Sequence, residues 1–595
     1  MNPEKLFQEL AKDLRNERND KGYWEGRLSS SALAGAVSIV ALKMAGDPFY
    51  REPIRNGLQW LLENQNADGG YGDSPNSLSN ASTSLLCYGA ISYCNQNDES
   101  SQKALRKIIK YLESQHIFLN ENIEESILQH YGKDLTFSVP ILSLLAICGV
   151  IRNFDNIPIL PFELSILPNS WFRFINLQVV SYALPALIGV GIAVFKERKK
   201  RNFIYSAIRK VAIKPAIKKL RTIMPESGGF LEAIPLTAFV GMCLIKSGYS
   251  EHPVVKKGIA FLHNKQRNDG SWPIDTDLST WVTTLSIKAY GESIMELFTR
   301  DETNTLRNHL LSLQYHQKHP FNEALPGGWG WTGFSGSVPD ADDTSGAIIS
   351  LLQLYRGSDK ENKSIVEACK WLINLKNKDG GIPTFCRGWG KLPFDSSCAD
   401  LSGHAFLAVA KSMSVLEKSL SNKDKQSFNR FLQKLSTYLR KNQFPDGKWL
   451  PLWFGNQKHL NNHNPVYGTA KVCIYLNDAL VCIRDDHLKN ELRIQIKKAQ
   501  EFLIYSQNQD GSWGAQKSIP GSYEETAIAM TALIGKAYQS VKKGLEWIEK
   551  EKSEKGIYTT PIGLYFASLW YDEKLYPLIY SLEAMERIRK TNNLT

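Results

Sequence analysis

Asp340-Ala341-Asp342-Asp343 places three carboxylates within four residues, followed by Thr344. Carboxylates this close do not all ionise cheaply, because each negative charge raises the proton affinity of its neighbours. An aromatic, glycine-rich run precedes them (Pro326-Gly-Gly-Trp-Gly-Trp-Thr-Gly-Phe334) and an apolar run follows (Ala347-Ile-Ile-Ser-Leu-Leu352). Two readings are open at this point. Asp is favoured at a helix N-cap and first turn, which accounts for one Asp better than for three. The alternative is a carboxylic acid held protonated in apolar surroundings and used as a proton donor.

The elements that must position such an acid form a repeat. Helical runs end in a polar residue, usually Gln, then a turn with Asp-Gly, then an aromatic. Copies are Gln65-Asn-Ala-Asp-Gly-Gly-Tyr71, Gln266-Arg-Asn-Asp-Gly-Ser-Trp272, Gln443-Phe-Pro-Asp-Gly-Lys-Trp449 and Gln507-Asn-Gln-Asp-Gly-Ser-Trp513. Gln314 to Trp329 is a looser copy and Lys376 to Ile382 a degenerate one. Gly after Asp supplies the positive-φ turn that ends a helix, and the aromatic is expected to fold back onto the polar side chain. Such helix pairs bury their apolar faces only by stacking on neighbours. Strand alternation is scarce, so the expected class is all-α, with helices arranged in barrels.

The 43% apolar and 22% charged content of the 595 residues argues against extensive disorder. The net charge of +11 points to an anionic partner surface. Met1 to Leu10 is charged and lacks the apolar core of a signal peptide. The nine cysteines show no CxxC spacing, and their odd number excludes a complete intrachain disulfide framework.

The Q…DG.W repeats together with Asp340-Ala-Asp-Asp-Thr344 resemble the squalene-hopene cyclase and oxidosqualene cyclase family, the protonation-initiated (class II) terpene cyclases. The resemblance runs over nearly the whole chain. It implies two α/α-barrel domains: residues 1–22 plus 278–595 as the catalytic barrel, and 23–277 inserted near its N-terminus. It also implies that Asp342 is the proton donor, flanked by Asp340 and Asp343. His404, four residues after Asp400, matches the histidine that hydrogen-bonds this acid. Trp281, Trp331, Phe385, Trp453 and Phe174 match cavity aromatics, as do Tyr565, Phe566, Trp570 and Tyr571 of the C-terminal cluster. Aromatic faces attract carbocations without being consumed by them. The implied activity is protonation of a linear polyprene, squalene-like, followed by cationic cyclisation. Shorter or functionalised polyprenes, or a non-catalytic lipid-binding role, are the alternatives. The chemistry calls for no metal and no organic cofactor. Val282 stands where the family usually has Asp, and Gln457 to Asn462 are extra, which leaves substrate and product open.

Val179 to Phe195 is an apolar run followed by Lys196-Glu-Arg-Lys-Lys-Arg201. It is short for a membrane span, and the resemblance makes it a barrel helix. Over about 203–224, Ile204, Ile208, Val211, Ile217, Leu220 and Met224 recur at helical spacing against Arg209, Lys210, Lys214, Lys218, Lys219 and Arg221. That pattern predicts an amphipathic basic helix lying in a membrane surface, and so a monotopic protein at the cytoplasmic face of a membrane. Nucleic acid is not expected, since no recognition motif accompanies the basic stretch. A homodimer is compatible with the resemblance. Asp485-Asp486 is read as a solvated turn rather than a metal motif.

Overall fold

The computed structural model describes residues 3–94, 98–119, 123–131, 135–167, 184–199, 203–385, 395–565 and 569–591. The architecture is two rings of inner helices jacketed by outer helices. In the first ring, Ala32–Ala45, Ala81–Cys94, Leu135–Ile147, Leu184–Glu197 and Ile234–Lys246 pack in succession and close back on Ala32–Ala45. In the second, Ser279–Tyr290, Ala341–Gln353, Ala399–Val415, Pro465–Ala479, Tyr523–Leu533 and Tyr576–Lys590 close on Ser279–Tyr290. The N-terminal helix Pro3–Asn16 packs outside Tyr576–Lys590, so the chain's start joins the ring made by its end.

Sequence decides inner from outer. Pro465–Ala479 is buried almost all round, as a helix inside a ring must be. Asn422–Asn442 buries one stripe, Phe428, Phe431, Leu432, Leu435, Tyr438 and Leu439, and shows solvent its charged side.

The repeats are the corners that hold inner and outer helices in register. Each aromatic donates to the carbonyl closing its preceding outer helix: Trp272 to Leu262 at 2.7 Å, Trp329 to Leu310 at 2.7 Å, Trp449 to Leu439 at 2.9 Å and Trp513 to Leu503 at 2.7 Å. The glutamine does not pair with the aromatic as expected. Gln443 donates to Gly447 O at 2.9 Å and to Gln495 O, on the next outer helix, at 3.0 Å. Gln507 does the same to Gly511 and Ser540, both at 2.9 Å. An amide can serve two carbonyls at once, so one side chain closes its own turn and ties adjacent outer helices.

Of the apolar run 179–195, residues 184–195 are described and lie in Leu184–Glu197, a buried barrel helix. No helix among the described residues is long and apolar enough to cross a membrane. The basic helix is Phe203–Ile223, and its predicted faces split. Ile217 and Leu220 are buried against the ring, Arg209 pairs with Glu163 at 2.8 Å, and Lys219 is partly buried with its ammonium donating to Ser165 O at 2.9 Å. Tyr205, Ile208 and Val211 are exposed.

Between the rings lies a short antiparallel hairpin, Gly563–Tyr565 with Leu569–Tyr571. Carboxylates of the first ring's loops pin it. Asp73 accepts the Trp570 N–H at 2.9 Å, and Tyr565 donates its hydroxyl to Asp275.

Candidate active site

The site grows from the start of helix Ala341–Gln353. Asp340 has extended backbone there, and its Oδ1 accepts the Asp343 N–H at 2.8 Å. Asp340 is therefore a true N-cap, which puts Asp342 and Asp343 in the first turn. The loop is held on both sides: Asp340 N–H donates to Trp329 O at 2.9 Å, and Ala341 N–H to Thr384 O at 2.8 Å. Thr344 completes the corner, its hydroxyl accepting the Trp329 N–H at 3.0 Å. The threonine of the motif is thus a structural clasp for the preceding repeat.

Asp340 and Asp343 are buried and unlike in their surroundings from Asp342. Burial pushes the Asp340 carboxyl up to about 7 and the Asp343 carboxyl well above the usual range, the latter aided by the charge of Asp340. The Asp342 side chain keeps 21% of its surface open, and it opens onto a cavity.

That cavity, about 110 Å³, is walled by Trp281, Trp331, Phe385, Trp453, Phe454, Tyr565 and Tyr571, with Leu278, Leu564 and Thr384 between them and the triplet on one side. The rings brace one another. Trp331 meets Phe385 edge-on at 6.0 Å, and Phe385 meets Trp453 at 6.1 Å. Trp453 donates to the Thr384 hydroxyl at 2.8 Å, and Trp281 to the Tyr576 hydroxyl at 3.0 Å. A larger surface groove of about 610 Å³, lined by residues such as Lys360, Lys363 and Trp371, shares no residue with this cavity.

His404, on the neighbouring inner helix Ala399–Val415, lies 2.6 Å through Nδ1 from Asp342 Oδ1 and is 1% exposed. Its ring stacks on Tyr475 at 4.5 Å with 7° between planes. Burial pulls the imidazole below its ordinary value, opposed by Asp342 and reinforced by Lys471 and Lys288. Asp400, one turn earlier, is buried behind the pair and accepts from the Cys398 thiol. Burial, with the charge of Asp342, pushes its carboxyl up to about 6.

Most of the expected residues converge. Asp340, Asp342, Asp343, Trp281, Trp331, Phe385, Trp453, Tyr565 and Tyr571 line one cavity, with His404 behind Asp342. Asp400 does not reach the cavity. Trp570 does not either: neighbouring strand residues point to opposite faces, and it packs over Gly455, where an added Cβ would lie 2.7 Å from its ring. Phe174 and Phe566 lie outside the described residues. Sequence reasoning missed Thr384, Phe454 and the underlying Lys471 and Tyr475. The signal for the last two was present as Tyr467, Lys471 and Tyr475 at four-residue spacing, a lysine on an otherwise buried helix face. Asp485 proves to be an N-cap, accepting from His487 at 2.9 Å and Leu488 at 3.2 Å.

A mostly helical double ring with an acid–imidazole pair under an aromatic vault defines a narrow class, and comparison with known proteins agrees. Residues 3–115 and 278–589 match the squalene-hopene cyclase C-terminal domain, more than half of the chain, and the chain belongs to that family. It is 28% identical over 300 residues to squalene–hopene cyclase of Bradyrhizobium diazoefficiens, covering 46% of this chain and 42% of that one. It is 24% identical over 371 residues to enfumafungin synthase of Hormonema carpetanum, covering 57% and 27%. These matches thus span less than half the length of either relative. Among solved structures, ent-copalyl diphosphate synthase from Streptomyces platensis superposes with a TM-score of 0.60 at 15% identity, covering 99% of this chain and 100% of that one, a likeness of fold.

Proposed function

We propose that this chain is a class II terpene cyclase in which Asp342 protonates the terminal alkene of a linear polyprene, squalene-like in kind, and the aromatic cavity directs cationic ring closure. The observation that carries this reading is the Asp342 carboxyl, opening onto an aromatic cavity and hydrogen-bonded at 2.6 Å to a buried imidazole.

Protonating an isolated alkene yields a carbocation with no lone pair to share its charge, so the site must supply a strong acid, exclude water and offer negative potential. The chain's residues meet each need. His404 engages Asp342 Oδ1, leaving the second oxygen to present its proton to the alkene. The new C–H bond takes the alkene's π electrons, and the O–H electrons remain on Asp342 as carboxylate. The ring faces of Trp281, Trp331, Phe385 and Trp453 then stabilise the cation, and a preformed wall fixes how the chain folds. On this reading residues 1–22 with 278–595 are the catalytic unit and 23–277 the insertion. Packing of Pro3–Asn16 on Tyr576–Lys590 supports that division.

A greasy substrate calls for a membrane surface. Tyr205, Ile208 and Val211 project from helix Phe203–Ile223 beside exposed Lys210, Lys214 and Lys218. This favours a monotopic protein seated on the cytoplasmic face of a membrane. Co-sedimentation with anionic vesicles, lost in Ile208→Glu/Val211→Glu, tests that part. The activity is tested by mass spectrometry of extracts after incubation with squalene and with tetraprenyl and pentaprenyl substrates. Cyclic products that vanish with Asp342→Asn support the reading; identical extracts from both proteins overturn it.

A further inference from the structure

An acid paired with an imidazole has a problem of its own. In water imidazole outcompetes a carboxylate for a proton, so an Asp–His contact ordinarily settles as an ion pair. An aspartate that has passed its proton to the imidazole has none left to give an alkene. Something in the barrel must withhold the proton from His404.

We propose that Lys471 is a positioning residue that does this, its ammonium lying against the Tyr475 ring on which His404 stacks. Lys471 is on the inner helix Pro465–Ala479 and is buried. Its Nζ sits 5.2 Å from the centroid of Tyr475, 5.3 Å from Tyr580, 5.9 Å from Tyr467 and 6.0 Å from Trp281. Lysine, aromatic ring, imidazole and acid thus form one contiguous cluster: Lys471 against Tyr475, Tyr475 stacked on His404, and His404 bonded to Asp342.

A second cation faces this cluster, and it is held in an ion pair. From helix Ser279–Tyr290 comes Lys288, 5.1 Å from the Tyr475 centroid but bonded to Glu583 at 2.8 Å. Glu583, on Tyr576–Lys590 with Tyr576 and Tyr580, also binds Arg587 at 2.9 Å, and Arg587 binds Asp478 at 2.7 Å. Those two cations and two anions balance. Helix Ala399–Val415 brings Asp400, helix Ala341–Gln353 the triplet, and helix Tyr523–Leu533 Glu524 and Glu525, whose carboxyls burial raises to about 7. Burial lowers Lys471 itself to about 8, which leaves it mostly charged at neutral pH.

A positive charge on the imidazole side penalises imidazolium and leaves the neutral ring, whose Nδ1–H then donates to Asp342 Oδ1. The mobile proton stays on Asp342, and the carboxylate formed by proton transfer gains a cation nearby. No aromatic or apolar side chain at 471 does this.

The inference rests on the cyclase reading, so its test needs a readout apart from turnover. Histidines labelled with ¹³C are titrated by NMR in the full chain, with His404 assigned by its loss in His404→Gln, for wild type, Lys471→Met and Lys471→Arg. Initial cyclisation rates are measured against pH for the same proteins. Lys471→Met is expected to raise the His404 midpoint by about one unit and to lower the rate at pH 7 about tenfold, with Lys471→Arg moving both back towards wild type. A folded Lys471→Met with an unmoved His404 midpoint overturns the proposal, as does a moved midpoint with an unchanged rate profile. If the midpoint moves but wild type converts no isoprenoid, the control of His404 protonation stands and the cyclase reading falls.

Discussion

Asp340 caps the helix that carries Asp342 by accepting the Asp343 N–H at 2.8 Å, so the first acid of the triplet orients the other two. The cap at Asp340 and the acid at Asp342 that faces the cavity are thus neighbours in one helix start. The triplet is therefore a helix start in which Asp340 and Asp343 are buried.

The buried cap has a stability cost that depends on pH. With the Asp340 carboxyl raised to about 7, the native state keeps a proton that the unfolded chain releases near pH 4. Stability from this group is full below about pH 4 and declines as pH rises through 7. Asn caps as well as Asp without carrying charge. Asp340→Asn should therefore be more stable than wild type at pH 8, by a few kcal/mol at about 1.4 kcal/mol per unit, and equal to it at pH 4. Urea melts at the two pH values check this; a gain of the same size at both would refute the burial argument.

Removing the acid should be far more damaging to turnover than to folding. Asp342→Asn keeps shape and loses the proton, and should cut cyclisation by about 10³-fold or more. His404→Gln, which keeps a hydrogen-bond donor near Asp342, should cost about 10²-fold. Near-UV circular dichroism of both variants should match wild type.

The wall aromatics should control where the cation stops. Trp331→Leu and Phe385→Leu remove ring faces worth about 0.5–2 kcal/mol each to a nearby cation. Products with fewer rings should accumulate in gas chromatography–mass spectrometry, with the initial protonation rate little changed. An unaltered product profile would remove these rings from the cation's path.

The corner repeats predict stability, not activity. Gln443→Ala leaves the Gly447 and Gln495 carbonyls without their shared amide and should cost about 1–3 kcal/mol. Gly447→Ala should cost more, since φ is +92° and a Cβ would sit 2.2 Å from Lys498 O. Thermal melts of the two variants should rank in that order.

How much of this was legible depended on the range of the interaction. The Asp-Gly turns, the cap at Asp340 and the alternation of buried and amphipathic helices are local, set by φ preferences and periodicity within a few residues. So the class of fold and the acid's position could be read directly. The partner of Gln443 is Gln495, 52 positions away on another helix, and no local pattern names it. The basic helix shows the same limit. Its periodicity was visible, but Ile217 and Leu220 face the ring while Ile208 and Val211 face outward, because the ring beneath covers only part of the helix.

The sequence by itself determined which residues could hold and hand over a proton, and that helices stacked in pairs would carry them, since those properties belong to side chains and their near neighbours. Tertiary structure alone decided that His404 meets Asp342 across 62 residues, that Trp570 turns away from the cavity while Tyr571 faces it, and that Lys471 lies against Tyr475. Closing the helix ring brings residues from four inner helices to one point, and proximity of that kind is a property of the closed ring rather than of any segment in it.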